Sequence, residues 1–249
     1  MLKVSATENL AGVTISGDQS DFDTLYDSLH EIVGDEEDHP YHEGARLRVL
    51  GVCYDLRHAL MGDREIIFVE NGMDTEKMKR MGMITHDKNV YLSINVIWPE
   101  MLFVLTALND FCRFHAYKLT KKRYDMMLDK SVIWDHNIVQ IRLFQAEVAK
   151  CLQETVEGKT YTRMVNMMIK DYAWLENYIT QYLDVLNVRY LGMDKAKRLK
   201  NLSIMAKRLT EKGDEYRSIE RTILEAAKEY NRSPEDISLK LEYPEQIDW

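Results

Sequence analysis

The sequence predicts an α+β fold: a small, mainly antiparallel four-stranded sheet packed with helices, followed by an all-helical C-terminal subdomain. Three observations carry this reading. Period-two alternation and short apolar runs give four strands, all before residue 99. From His136 onward apolar residues recur at helical spacing with little interruption. The 249 residues include four prolines, eleven glycines and 14 methionines, a balance that suits long helices better than a many-turned β fold.

Leu2, Val4 and Ala6 alternate with Lys3, Ser5 and Thr7, and Val13 and Ile15 alternate with Thr14 and Ser16. This is the pattern of a β-hairpin turning through Glu8 and Asn9. Gly17-Asp-Gln-Ser20 breaks the second strand, and Ser20 can cap a helix whose buried face is Phe22, Leu25, Tyr26, Leu29, Ile32 and Val33, ended by Gly34. An acidic connector, Asp35 to Glu43, leads to the most informative stretch, Tyr41 to Met61. On a helical projection Ala45, Val49, Val52, Cys53, Leu56, Ala59 and Leu60 form one apolar face, and Leu47, Leu50, Tyr54 and Met61 form a second opposite it. A helix apolar on two sides is expected to lie between two layers. Its polar flanks are narrow, Arg46 and Arg57 on one, Arg48, Gly51, Asp55 and His58 on the other.

Glu65 to Val69 reads as a third strand, followed by an exposed piece from Asp74 to Lys79. Val90, Leu92, Ile94, Val96 and Trp98 alternate strictly with their neighbours and give the fourth strand. Pro99 suits the first turn of a helix that is apolar in nearly every direction from Met101 to Leu119, apart from a stripe of Thr106, Asn109, Asp110 and Arg113. A polar connector from Lys121 to Asp135 divides the chain into an α+β domain, 1–130, and a helical subdomain, 131–249. In the second part, helices are expected over His136 to Val156, Thr160 to Asn187, Asp194 to Lys212 and Tyr216 to Tyr230, with a short start at Ser233-Pro234 and a tail from Tyr243. The Met- and Tyr-rich helix at 160–187 is apolar on more than one side, so it should be wrapped by its neighbours or carry a homodimer interface.

Composition narrows the class. Hydrophobic residues make up 45% and charged residues 30%, ordinary for a globular protein. The lack of a long apolar run or secretion signal predicts a soluble, cytoplasmic protein with no membrane contact. The odd, dispersed Cys53, Cys112 and Cys151 read as buried reduced thiols. The net charge of −8 is concentrated at the start: residues 1–43 hold 11 acids against Lys3 alone. Such a patch repels phosphate backbones and makes nucleic acid an unlikely partner there. The basic helix from Asp194, with Lys195, Lys197, Arg198, Lys200, Lys207, Arg208 and Lys212, is expected to be solvated or paired with the chain's own acids.

The sequence lacks Gly-x-Gly-x-x-Gly, the P-loop pattern, Gly-x-Ser-x-Gly and His-Glu-x-x-His. Two clusters remain. His39, His42 and Glu43, at a helix entrance, carry imidazole and carboxylate types that suit a divalent metal, the one cofactor the residues suggest. The ordinary reading is a solvated acidic loop. Arg48, Asp55 and His58 share one helix flank, with Gly51 leaving a gap: Arg48 can hold an anion and Asp55 can orient His58 as a general base. The ordinary alternative is that Arg48 and Asp55 are neutralised by Asn109, Asp110 and Arg113. His115 projects among Val104, Leu108 and Phe111 and reads as a core histidine.

Two segments, Gly44 to His58 with Gly62-Asp-Arg-Glu65, and Asn89-Val-Tyr-Leu-Ser-Ile-Asn-Val-Ile-Trp-Pro-Glu100, resemble an uncharacterised bacterial protein family, a domain of unknown function. The resemblance spans about residues 1–120 and implies a bacterial cytosolic origin, with no activity attached. The expectation is therefore a protein- or ligand-binding module. The alternative is a hydrolase or nuclease, using a metal at His39, His42 and Glu43 or no metal at Arg48, Asp55 and His58.

Overall fold

The alternating segments at the start of the chain form strands β1 (Lys3–Ala6) and β2 (Gly12–Gly17), paired antiparallel with Val4 opposite Ile15. The computed structural model describes residues 1–120, 128–169, 175 and 178–249. With β3 (Glu65–Glu70) and β4 (Lys88–Ile97) the sheet has the order β1-β2-β4-β3, antiparallel throughout. The fold is α+β, with a helical C-terminal region. Gly12 is obligatory at the β2–β4 junction: a Cβ there would sit 2.0 Å from the Val96 carbonyl oxygen. The preceding turn places Leu10 at φ 57°, a left-handed conformation costly for a side chain with a Cβ. Tyr190 donates to the Leu10 carbonyl at 3.0 Å and helps to hold it there.

The N-cap of helix α1 (Gln19–Val33) lies two residues before the expected one. Asp18, not Ser20, is the N-cap: its carboxylate accepts from Asp21 N at 2.9 Å, and Asp21 returns the bond to Asp18 N at 3.0 Å. This reciprocal pair satisfies two otherwise orphaned amides, which a lone Ser20 hydroxyl would not. Its face of Phe22, Leu25, Leu29, Ile32 and Val33 is buried as expected.

Helix α2 (Glu43–Leu60) buries one apolar face, Ala45, Val49, Val52, Cys53, Leu56 and Ala59, against α1 and α4 (Trp98–Thr120). Among the described residues the expected second layer is not there. Leu47, Tyr54 and Met61 are 52, 53 and 68% exposed. Periodicity records what a helix is able to bury; the helices that could have formed the outer layer pack on α1 and α4 instead. The exposed piece after β3 forms a short helix, α3 (Thr75–Met81), capped by Asp74 and stopped by Gly82 in the left-handed region.

Among the described residues beyond 120 the α-helices are α5 (Lys130–Ile133), α6 (His136–Thr155), α7 (Gly158–Met168), α8 (Gln181–Leu191), α9 (Lys195–Glu211) and α10 (Asp214–Tyr230). Lys121 to Met127 of the expected connector, and Tyr172 of the expected long helix, lie outside the described residues. Among the described residues that long helix is interrupted: α7 ends at Met168, α8 begins at Gln181, and Tyr178 and Ile179 are non-helical. α6 packs on α1 and β1, and α8 on α4, α9 and α10, so one apolar core runs from Leu2 to Ile223. Among the described residues no helix is long and apolar enough to cross a membrane.

Candidate functional site

The polar flank of α2 meets α8 and the start of α4. Arg48 donates in a fork to Asp184, at 2.8 and 2.7 Å, and to the Thr180 carbonyl at 3.3 Å. Its Nη1 also lies 3.5 Å from Glu100 Oε2, which accepts from Asn187 Nδ2 at 2.8 Å. The geometry follows from local sequence. Glu100 falls in the first turn of α4, right after Pro99, so its carboxyl leaves the apolar body of the helix at the end of β4. Asp184 and Asn187 are three apart on α8 and share one side of it.

Burial holds the Glu100 carboxyl above the ordinary carboxylate range, and Asp184 adds to this, while Arg48 and Asn187 oppose it. Burial also works against the Arg48 charge, but Asp184 and Glu100 more than offset it, so Arg48 stays cationic. Tyr243, in the tail, donates to Asp184 at 3.1 Å, and burial followed by the Asp184 charge raises its phenol.

Of these groups Arg48, Glu100, Asn187 and Tyr243 line a cleft of about 320 Å³ that is open to solvent. Arg48, Gly51, Val52 and Asp55 supply the α2 wall, Asn95 to Ile97 and Glu100 the sheet side, Asn187 the α8 side, and Tyr243, Ile247 and Trp249 the outer rim. Gly51 opens the cleft on its helical side: a Cβ there would meet nothing within 4 Å. The tail is held in place at its far end. Asn9 donates to Asp248 at 2.7 Å, and Arg198 donates to the carbonyls of Asn9, Asp248 and Leu191 at 2.9, 3.0 and 2.9 Å.

The expected trio is brought only partly together. Arg48 and Asp55 line the cleft, but Asp55 is taken by Arg64, at 2.7 Å. His58 points elsewhere, 3.2 Å from Asp63 and with its ring 4.3 Å from that of Tyr54. The α4 stripe does not neutralise this flank. Asp110 pairs with Arg113 on its own helix, and Asn109 accepts from Gln145 of α6 at 3.2 Å. Of that stripe Asn109 meets α6, while Thr106 bonds back to the Leu102 carbonyl of its own helix at 2.9 Å.

His39 and His42 pack on Phe114, with ring centroids 4.9 and 5.1 Å away, and Glu43 accepts from Arg46 at 2.8 Å. Burial, then Lys118, lowers the His39 imidazole. Among the described residues no three His, Cys, Asp or Glu side chains are placed to share a metal ion. His115 is buried, 3.6 Å from Asp135. The three cysteines are free and buried, and burial pushes the thiols up to about 12 for Cys53 and about 11 for Cys112 and Cys151. On α9, Arg198 turns inward as the clamp just described and Arg208 meets Glu215, and at its C-cap Lys212 lies over the rings of Tyr178 and Tyr216.

Sequence reasoning missed Glu100, Asp184, Asn187, Tyr243 and Trp249 as members of the site. A signal existed for the first: a carboxylate opening a helix that is otherwise apolar nearly all round needs a polar neighbourhood of its own. Asp184 and Asn187, on a helix flanked by buried tyrosines and leucines, carry the same signal.

A family model described as a domain of unknown function (DUF6904) matches residues 2–249, well beyond the first 120 residues in which the resemblance was read. No curated protein and no solved structure matches the chain.

Proposed function

We propose that this chain, which belongs to the family described as a domain of unknown function (DUF6904), is a binding module that takes a small organic cation in the cleft between α2, β4 and the C-terminal tail. The observation that carries the reading is Glu100, a carboxyl group set into the floor of a solvent-reachable cleft and kept toward its neutral form by burial. A perturbed acid in a cleft is a candidate for ligand contact. Asp184 is matched by Arg48 and Asp55 by Arg64, so an ionised Glu100 is the acid in excess. An ammonium or guanidinium entering beside it would draw the carboxyl to its ionised form, and Tyr243 and Trp249 on the rim supply the ring faces that cations favour. Val52, Val96 and Ile97 suit the apolar body of such a ligand. The hydrolytic alternative has less support, because Asp55 is engaged by Arg64 and His58 lies with Asp63, outside the residues lining the cleft.

Isothermal titration of the full chain with a panel of aromatic and aliphatic monoamines, each beside its neutral alcohol analogue, tests this. Expected are hits among the amines and not the alcohols, proton release that varies with buffer ionisation enthalpy, and loss of binding in Gly51→Leu, whose side chain enters the cleft from α2. The reading fails if no amine binds, or if Gly51→Leu binds as well as the wild type.

A further inference from the structure

The two edges of the sheet are built differently. β1 is four residues long, and α6 packs on it. β3 has six residues and no proline, its register with β4 is unbroken from Glu65 opposite Ser93 to Glu70 opposite Lys88, and among the described residues β4 is the one element packed extensively along it. One step past that register Asn71 N donates to the Asp87 carbonyl at 3.1 Å, so the odd residues of β3 bond to β4. The backbone N–H and C=O groups of Ile66, Phe68 and Glu70 therefore point outward from the sheet.

The same even residues share a sheet face with Val90, Leu92, Ile94 and Val96, and nearer the helices that face is core. Where the hairpin overhangs the helices it is bare, with Ile66, Phe68 and Val90 exposed by 47, 65 and 53%. Edge strands are ordinarily blunted by proline, lysine, a bulge or a covering element, and among the described residues β3 shows none of these along its length.

We propose that β3 pairs antiparallel with β3 of a second copy of this chain, about a two-fold axis at Ile67, joining two four-stranded sheets into one. Charge and hydrogen-bond phase select both the partner and the register. Centred on Ile67, the pairing sets Ile66 opposite the partner's Phe68 and Arg64 opposite the partner's Glu70, with outward amides facing outward amides. Moving the axis to lie between Ile67 and Phe68 would set Glu65 against Glu70 and put the amides out of phase. Moving it to Phe68 would set Ile66 against Glu70. Within each copy Arg64 already meets Asp55 at 2.7 Å and Glu70 meets Lys88 at 3.3 Å. The chosen register thus lines up Asp55, Arg64, Glu70 and Lys88 with the sign alternating across the junction, as cross-strand pairs require. In the stretch expected to be wrapped or to carry a dimer contact, α8 packs on α4, α9 and α10.

Sedimentation equilibrium of the full chain, with two variants, tests the pairing. The wild type is expected to be a dimer, and Phe68→Asp to dissociate at least about 30-fold more readily, the effect of removing a central apolar contact, with unchanged far-UV circular dichroism. In Ile67→Cys the two thiols face each other across a non-hydrogen-bonded pair, about 4.5 Å between Cα atoms, within disulfide reach. That variant should form a covalent dimer under mild oxidation much faster than Val69→Cys, which would face Glu65. A wild type that stays monomeric at the highest concentration reached, or a dimer that Phe68→Asp leaves intact, overturns the proposal. Equal cross-linking at positions 67 and 69 overturns the register.

Discussion

Replacing Arg48 by Met removes the cation that holds the α2–α8 junction together while keeping most of the apolar stem. The variant loses the fork to Asp184, at 2.8 and 2.7 Å, and the 3.3 Å bond to the Thr180 carbonyl. It also leaves Asp184 and Glu100 near one another with no cation between them. Removing one member of a buried ion pair costs about 3–5 kcal/mol, because the other charge is stranded. Arg48 and Asp184 side chains are 24 and 26% exposed, so water can re-solvate part of the stranded charge. The expected loss is therefore about 2–3 kcal/mol. For a chain of this size that lowers the melting temperature by roughly 5–10 °C. Urea denaturation followed by far-UV circular dichroism measures it, with Asp184→Asn and the double variant completing a cycle. The double variant should recover about 1–2 kcal/mol relative to the sum of the single ones. An Arg48→Met protein within about 0.5 kcal/mol of the wild type, or single effects that simply add, would show that the pair is incidental to the fold.

Other expectations follow from single sites. Two glycines should respond with opposite sign to alanine: Gly12→Ala loses more than about 3 kcal/mol through its collision with the Val96 carbonyl, whereas Gly51→Ala, in open space on a helix, gains about 0.5–1 kcal/mol. The same denaturation curves decide both. Because the folded chain holds Glu100 above its unfolded value, near 4.5, the folded form retains a proton that the unfolded chain has given up. The stability from that proton is fully present below the unfolded value and lost as pH rises through the folded one. Glu100→Gln should therefore match the wild type in acid and become relatively more stable toward neutrality; parallel stability–pH curves would contradict this. Cys53, Cys112 and Cys151, buried and with raised thiols, should resist a disulfide reagent in the native protein at mildly alkaline pH and react together after urea; a fast native phase would place a thiol at the surface.

The elements legible in the sequence are those whose periodicity coincides with what packs on them. Val90 to Ile97 alternates because one face of β4 meets the helices, and the spacing of Phe22, Leu25 and Leu29 matches a helix that buries one side. The α2 reading failed at its outer face because Leu47, Tyr54 and Met61 have helical spacing whether or not a layer covers them. At the candidate site the flank of Arg48, Gly51 and Asp55 could be read, since i, i+3 and i+4 neighbours are fixed by helix geometry. Asp184 and Tyr243 could not: they stand 136 and 195 positions beyond Arg48, and local pattern carries no information about which distant acid a guanidinium will find. The exposed stretch at 74–79 became a helix through Asp74 and Gly82, caps that are visible in the sequence but enclose too few turns for periodicity to register.

The anchoring of the tail has a consequence for how the chain is made. Arg198 joins the Asn9 carbonyl, 189 positions away, to that of Asp248, and Asn9 itself reaches Asp248 across 239 positions. During synthesis the hairpin turn leaves the ribosome before α8 and α9, and its Leu10 backbone lacks the Tyr190 hydroxyl that supports it until they follow. The outer rim of the cleft cannot form until Tyr243 and Trp249 have emerged. A ribosome stalled in α10 would hold much of this core without the outer rim of the cleft.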